Sequence, residues 1–571
     1  MKSTRFSFNI SAKLVEEDVK RYWLIPAMIF LIYFIVGAVP LLDAADKYIS
    51  VSLNSQHNVY ANSIQIALIS VSAISAAASV FSYLHGKASS VFVHGLPFSR
   101  KTLFRSHAFA GWLLAVFPIV ISGLCFIVVC ALQTASGKEI IESPDVYIPI
   151  SYVDYYLDWT LSALIAVTFV YALALLAGVI AGNLAVHVLL AMFLNGIAPV
   201  TVFLVNNYLF RFLKGFTAPP LGTTDFSPLL RFYGAWEYFN KLLYCGAYIA
   251  FSLLFIFLAA ALYKRLPLER SGDTVFFPAA GKLVCLLFAF IGMALFGLSS
   301  IRVWGGDTTA RSLCLALIGS LLFYLIGRMI LEKRLQVFHR ETLKGYCLFL
   351  VFAAVFCSFT IFDVTGFETR VPNASQIQSI TLSGAAGQSD GNAVYTSLES
   401  FEDILALHRA FIEEAEDYDP SVVYDTIYLS YKLKNGKTLE RRYEFQLEES
   451  DKVFAAYNHL YKSAAYRERL DETVLLRSKI QSLNDQLPGF SDNYDALIEK
   501  LPEAILEDAG ERSLMQTLYK GQFLADEKYT LRFRFEDGGT WEYYVTTYDK
   551  NTLALCEKYL KGYLAKSFTP V

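Results

Sequence analysis

The sequence predicts a polytopic α-helical membrane protein of about nine transmembrane helices, followed by a C-terminal α+β soluble domain. Three observations carry that prediction. Hydrophobic residues make up 55% of the 571 and charged residues only 18%, below the roughly 25% charged of ordinary globular chains. Mean hydropathy is +0.40, more apolar surface than a water-soluble core hides. Charge also divides unevenly. Residues 1–362 hold 26 Lys+Arg and 17 Asp+Glu, and the remaining 209 hold 23 and 35, so +9 and −12 sum to the overall −3. The long apolar runs lie in the first part, which places a boundary near Asp363. The same numbers exclude a disordered, collagen-like or nucleic-acid-coating chain.

Residues 1–22 come first. Ser11–Tyr22 carries Lys13, Glu16, Glu17, Asp18, Lys20 and Arg21. Such a lead is too long and too mixed in charge for a signal peptide, and the apolar run behind it is full length. It reads as a cytoplasmic amphipathic helix on the inner membrane surface, leading into an uncleaved anchor. A bilayer core of about 30 Å needs about 20 apolar residues per helix. Six runs meet this within 23–270: Trp23–Leu42, Ile64–Leu84, Trp112–Leu132, Thr160–Ile180, Leu184–Val205 and Leu242–Leu262. Three more lie within 271–362: Leu283–Leu298, Leu313–Ile330 and Leu343–Phe362, the first short enough that it would extend back through Ala279–Gly281.

With the N-terminus inside, the inner segments 1–22, 85–111, 181–183, 263–282 and 328–344 hold 18 Lys+Arg, against eight in the outer loops. That asymmetry fits the positive-inside rule. Nine spans then put residues 363–571 outside the cytoplasmic membrane, and an even count would put them in the cytoplasm. Seven of eight Cys sit in apolar runs and only Cys556 lies in the soluble domain. No pair has zinc or redox spacing, so they read as packing residues, with no metal site expected.

The segment after the second span is the most informative. Lys87–His94 mixes polar and bulky apolar residues, as a helix lying across the membrane surface would. Pro97 breaks the chain, and Ser99 can cap a new helix through Arg100–Arg105 into the third span. Exposed Val91, Phe92 and Val93 need a cover, either lipid headgroups or a cytoplasmic partner. In the fifth span, His187 starts near the inner surface. Asn195 and Asn206, eleven residues or about three turns apart, share a face, with Pro199 near it. They read either as interhelical hydrogen-bonding and dimer-packing residues or as the lining of a translocation path. No span holds a central Asp, Glu, Lys or Arg, which argues against a proton- or sodium-coupled pump.

The string Leu96-Pro97-Phe98-Ser99-Arg100 after a second span, with Gly111 entering the third, resembles the permease subunits of ABC-2-type transporters. The tail Tyr263–Gly272 and the long loop Tyr208–Lys241, where those permeases carry re-entrant helices, are similar to the family as well. The three further spans and the terminal domain, entered through Asp363–Pro372, resemble a Gram-positive branch that includes acetoin-utilisation-operon permeases. The resemblance implies that Lys87–His94 is a coupling helix on a cytoplasmic ABC ATPase dimer, with Lys87, Ser89, Val91, Phe92, His94, Leu96, Pro97, Ser99 and Arg100 as coupling residues. It also implies a second permease copy or homologue to complete the path, and ATP and Mg²⁺ on the partner. The chain itself carries no cofactor, no nucleotide loop and no nucleic-acid partner. The nearest Walker-like string, Asn435-Gly436-Lys437-Thr438, has Tyr431 where the loop needs its first Gly, and reads as a hairpin turn.

Residues 429–440 and 531–542 repeat one pattern: an alternating strand, an Asn-Gly or Asp-Gly turn and a second strand. Helical runs follow each, at Ser450–Lys462 and Lys550–Lys561, and another is expected at Ser400–Glu416. The outer domain is therefore read as two hairpin-plus-helix units. It holds His408 and His459 but no nucleophile elbow or metal spacing, and Glu413, Glu414, Glu416 and Asp417 read as a solvated helix end. No catalytic residues are expected. The domain would bind, gate or cap. The expected function is the permease subunit of an ATP-driven exporter. The alternatives are a non-transporting membrane sensor whose outer domain binds a ligand or partner protein, and a membrane-embedded lipid transferase. The inner loops are short for a signalling domain, and no Asp, Glu or His cluster marks a transferase site.

Overall fold

The structure, a computed structural model, describes residues 10–43, 48–50, 59–141, 151–217, 222–233, 241–304, 309–361, 363–384, 393–413, 425–445, 452–463, 465, 480–483, 494–511, 529–535 and 540–560. Among them, nine helical stretches are long and apolar enough to cross a membrane. The lead helix α1 (Ala12–Tyr22) precedes the first span, which is built from α2 (Leu24–Tyr33), a π-helical turn Phe34–Ala38 and α3 (Val39–Asp43). Gly37 lies within this wider turn and Pro40 just after it, where the sequence reading expects one regular helix. The second span lies in α4 (Val59–Val80), and the short α5 (Lys87–His94) follows. Then come α6 (Arg100–Ala135), α7 (Tyr152–Ile180), α8 (Leu184–Phe212), the short α9 (Pro228–Tyr233) and α10 (Lys241–Lys264). The last three spans lie in α11 (Pro278–Trp304), α12 (Thr309–Glu332) and α13 (Arg340–Ile361). The seventh is full length because α11 begins at Pro278, upstream of its apolar run.

The chain folds into two compact units. The first holds the spans. Its centre is α7, whose Ala163, Ala166, Ala174 and Ala177 are fully buried. Small side chains let α4, α6 and α10 pack closely on it, as lipid-immersed helices require. Gly111 of α6 faces Tyr171 of α7 and Val80 of α4, with no room for a Cβ.

The turns report the topology. At one end, β1 (Tyr48–Ser50), after the first span, pairs in parallel with β2 (Glu139–Ile141), after the third. The Gln133 amide at the end of α6 donates to Leu41 O at 2.7 Å. At the other end, the segments after the second, fourth, sixth and eighth spans bind one another. Ser271 Oγ donates to Leu84 O at 2.6 Å. Gly272 N–H donates to Gly182 O at 2.8 Å, and Gly182 N–H to Thr274 O at 3.1 Å. Lys333 Nζ donates to Gly272 O at 2.8 Å. Turns of like parity thus meet, as alternating crossings require.

The second unit takes in 209–218 and 301–308, from the ends of the fifth- and seventh-span helices onward, together with 355–571, from the last turns of the ninth-span helix onward. It starts earlier than Asp363 and, before 355, collects chain only around the ends of odd-numbered spans. Its larger sheet has the order β4–β3–β5–β6, formed by β3 (Ile377–Ser383), β4 (Ala393–Tyr395), β5 (Asp425–Leu433) and β6 (Thr438–Phe445). At the β5–β6 turn Gly436 has φ +81°, the left-handed region glycine tolerates. Helices α14 (Leu398–Glu413) and α15 (Lys452–Lys462) supply Phe401, Ile404, Leu405, Tyr457 and Leu460 to its core. A second sheet, β7 (Ile480–Leu483), β8 (Tyr529–Phe535) and β9 (Thr540–Val545), packs with α16 (Tyr494–Glu511) and α17 (Lys550–Leu560). Both hairpins of the sequence repeat are present, each followed by its helix. The Asp537-Gly538 turn, Glu414, Glu416 and Asp417 lie outside the described residues.

The edge strand β6 is covered within this unit by the segment after the fifth span. Arg442 N–H donates to Gly215 O at 3.2 Å, and Lys214 N–H donates to Glu368 Oε1 at 2.7 Å. Arg441, 1% exposed, donates to Phe367 O at 2.8 Å and stacks over the Phe367 ring at 3.9 Å. An edge strand left open would invite pairing with another chain.

Candidate functional site

The even-numbered turns build one surface, and α5 is the helix on it that exposes bulky apolar side chains. α5 begins after a 3₁₀ turn, Ser82–His85, and ends at Gly95. Ser90 is fully buried, while Val91 and Phe92 are 68% and 71% exposed. Lys87 and Ser89 are also exposed, and His94 and Leu96 are half-buried. The eight-residue helix is too short to hold itself in water, so its position depends on bonds to its surroundings.

Those bonds run in one direction. Ser90 O can only accept, so His94 Nδ1 donates to it at 2.8 Å. His94 Nε2 is then the bare nitrogen and accepts from the Tyr263 hydroxyl at 3.1 Å. Tyr263 in turn accepts from the Tyr83 hydroxyl at 2.8 Å. Burial holds His94 below its ordinary pKa, with Arg100 adding to the shift against the opposing Ser90 bond, which favours this neutral tautomer. The chain of bonds ties α5 to the last turn of the sixth span. A neighbouring pair docks the lead helix: His107 Nδ1 lies 2.5 Å from Asp18 Oδ2, both nearly buried. The His107 ring lies 4.9 Å from that of Tyr83. Tyr22 and Ser82 hydroxyls meet at 3.3 Å.

Ser99 caps α6, accepting from Thr102 N–H at 3.1 Å. Arg100 donates to Lys264 O at 3.2 Å and Leu266 O at 3.4 Å. The Arg100 head group, itself exposed, therefore also fixes the end of α10 beside α5. Pro97 lies exposed at the turn and separates the two helices. A Tyr263→Phe variant would leave the Tyr83 O–H without its acceptor and His94 Nε2 without its donor. The expected cost is about 1–3 kcal/mol, read as a lower melting temperature; a melting curve identical to wild type would show that α5 is not held this way.

The fifth-span residues do not form a common site. His187 is fully buried; its Nε2 donates to Ala174 O at 2.9 Å and its ring lies 5.1 Å from His85. It packs α8 onto α7 and the turn before α5. Burial lowers His85 to about pKa 4, so it stays neutral there. Asn195 donates one amide N–H to Ala191 O of its own helix at 2.8 Å. Asn206 is half-buried, about 16 Å further along the helix. In the second unit, His408 is sandwiched between Tyr431 and Tyr443, and His459 pairs at the surface with Asp403. Among the described residues no three His, Cys, Asp or Glu converge on a metal site.

Sequence reasoning missed Tyr83, Tyr263, Asp18 and His107 as partners. Their only signal was polar character at the border of apolar runs. No known family model matches the chain, and neither the curated proteins nor the solved structures hold a significant match to it.

Proposed function

We propose that this chain is the permease subunit of an ATP-driven ABC transporter, an exporter in the cytoplasmic membrane whose motor is a separate ATPase dimer. One observation carries the reading: a short surface helix offers Val91 and Phe92 to solvent while being tied through His94 and Tyr263 into the sixth span. Exposed apolar side chains on a firmly held element suit a partner that pushes on it. ATP and Mg²⁺ would bind the partner. Closure of the ATPase dimer on ATP would press α5. His94, Tyr263 and Arg100 would pass the displacement to α10, which packs on α7 at the centre of the bundle. A second copy or a homologous permease would complete the path. Even-numbered turns then face the cytoplasm, and the second unit, built from odd-numbered turns, lies outside.

Capture of a Walker-motif ATPase by the full chain tests this. Wild type is expected to retain it and Phe92→Asp to lose at least tenfold of the binding, with an unchanged melting temperature. A sensor whose outer domain does the binding would retain no ATPase. Equal capture by Phe92→Asp would remove α5 from the contact.

A further inference from the structure

The turn after the eighth span carries a second exposed apolar pair at the same end. α12 stops at Glu332, Lys333 adopts φ +55°, and α13 starts at Arg340. Val337 is fully buried, whereas Leu335 and Phe338 are each 81% exposed. The turn is braced. Arg328 pairs with Glu332 and lies 3.3 Å from His339 Nε2, which is 3.5 Å from Glu332. The Thr342 hydroxyl lies 3.3 Å from His339 Nδ1, and Arg334 N–H donates to Met329 O at 3.3 Å. A loop held this firmly, with Leu and Phe left in the open, is pre-organised for contact.

Position in the chain argues for a protein and against acyl chains as the cover. α12 has 24 residues, about 36 Å of helix against a core of about 30 Å. Leu335 and Phe338 lie beyond the end of α12 at Glu332, in the turn whose two ends Glu332 and His339 brace. The turn is also continuous with the α5 surface. Lys333 donates to Gly272 O at 2.8 Å, and Lys87 Cε stands 3.9 Å from where a Gly272 Cβ would be. Lys87 and Lys333 therefore both approach Gly272, with one apolar pair belonging to each of their segments. We propose that the 333–339 turn is a second foot that docks on the same cytoplasmic ATPase as α5, fitting an apolar recess with an acidic rim. The proposal rests on the permease reading and gives the spans beyond the sixth a role, the delivery of this foot.

The test uses the full chain in nanodiscs and the purified ATPase that wild type retains. Leu335→Asp/Phe338→Asp is expected to weaken ATPase binding at least tenfold, in phosphatidylcholine and in phosphatidylglycerol discs alike. Leu335→Ser/Phe338→Ser serves if the Asp pair misfolds, with at least a threefold loss expected. Wild-type affinity in either folded variant overturns the second foot, and leaves the permease reading intact if Phe92→Asp still loses binding. A loss confined to phosphatidylglycerol discs also overturns it, because the turn would then be a lipid anchor. Failure of wild type to bind any ATPase removes the permease reading and the foot together.

Discussion

Gly319→Leu is expected to drive the seventh and eighth spans apart and to cost about 3 kcal/mol or more, the upper range of overpacking where backbone is the obstacle. The reason is mutual. A Cβ on Gly319 would collide with Gly292 O and the Phe296 side chain, and a Cβ on Gly292 would collide with Gly319 O and Phe323. Neither carbonyl can move aside without unwinding its helix. Close backbone approach through small residues is what holds helices together in lipid, where burying apolar surface gives no advantage over acyl chains. The bundle supplies its own control. Gly196 of α8 and Gly246 of α10 have nothing within 4 Å of an added Cβ. Gly196→Ala and Gly246→Ala should be neutral or slightly stabilising, since Ala favours helix by about 1 kcal/mol over Gly. Thermal unfolding of these variants in detergent decides it. If Gly319→Leu melts with Gly196→Ala, α11 and α12 do not cross there.

Acid is expected to loosen the larger sheet of the second unit through His408. Its ring is fully buried, with Tyr431 Oη 2.9 Å from Nδ1 and Tyr443 Oη 2.9 Å from Nε2. A neutral imidazole satisfies both contacts, donating at one nitrogen and accepting at the other. Burial, with Arg441 and Arg409 nearby, pushes its pKa down to about 3. The unfolded chain protonates this histidine near pH 6.5. Stability from the neutral ring is therefore fully present above about pH 6.5 and is lost as pH falls toward about 3, because only the unfolded state takes up the proton. The slope for this group alone is at most about 1.4 kcal/mol per pH unit. Hydrogen exchange of β5 and β6 amides between pH 7 and 5 measures it. His408→Gln keeps a donor and an acceptor but cannot titrate, so its protection should fall less steeply than wild type. Parallel slopes would clear His408 of the effect.

Much of this architecture is readable along the chain, and the parts that are not share a cause. Lys87–His94 is legible because Pro97 and Ser99 punctuate the sequence and the apolar residues before them lack a span's length. The Asn435-Gly436 turn is legible because two residues settle it. Arg100 reads as a docking residue in sequence and in the structure clasps the end of α10. His187 reads as a candidate for the path and in the structure packs between α7 and His85. Asn195 reads as an interhelical partner or a path lining, and its amide bonds within its own helix. The Arg100 and His187 contacts needed the identity of a neighbour far away in sequence.

The sequence alone determined how the chain partitions between lipid and water, because hydropathy summed over about 20 residues needs no partner. It also set the alternation of strands and turns, which is local geometry. Tertiary structure alone decided which polar groups meet: Asp18 with His107, Tyr83 with Tyr263 and His94, Lys333 with Gly272. A buried polar group must find some partner, but sequence does not say which. That choice is made when helices far apart in the chain pack side by side.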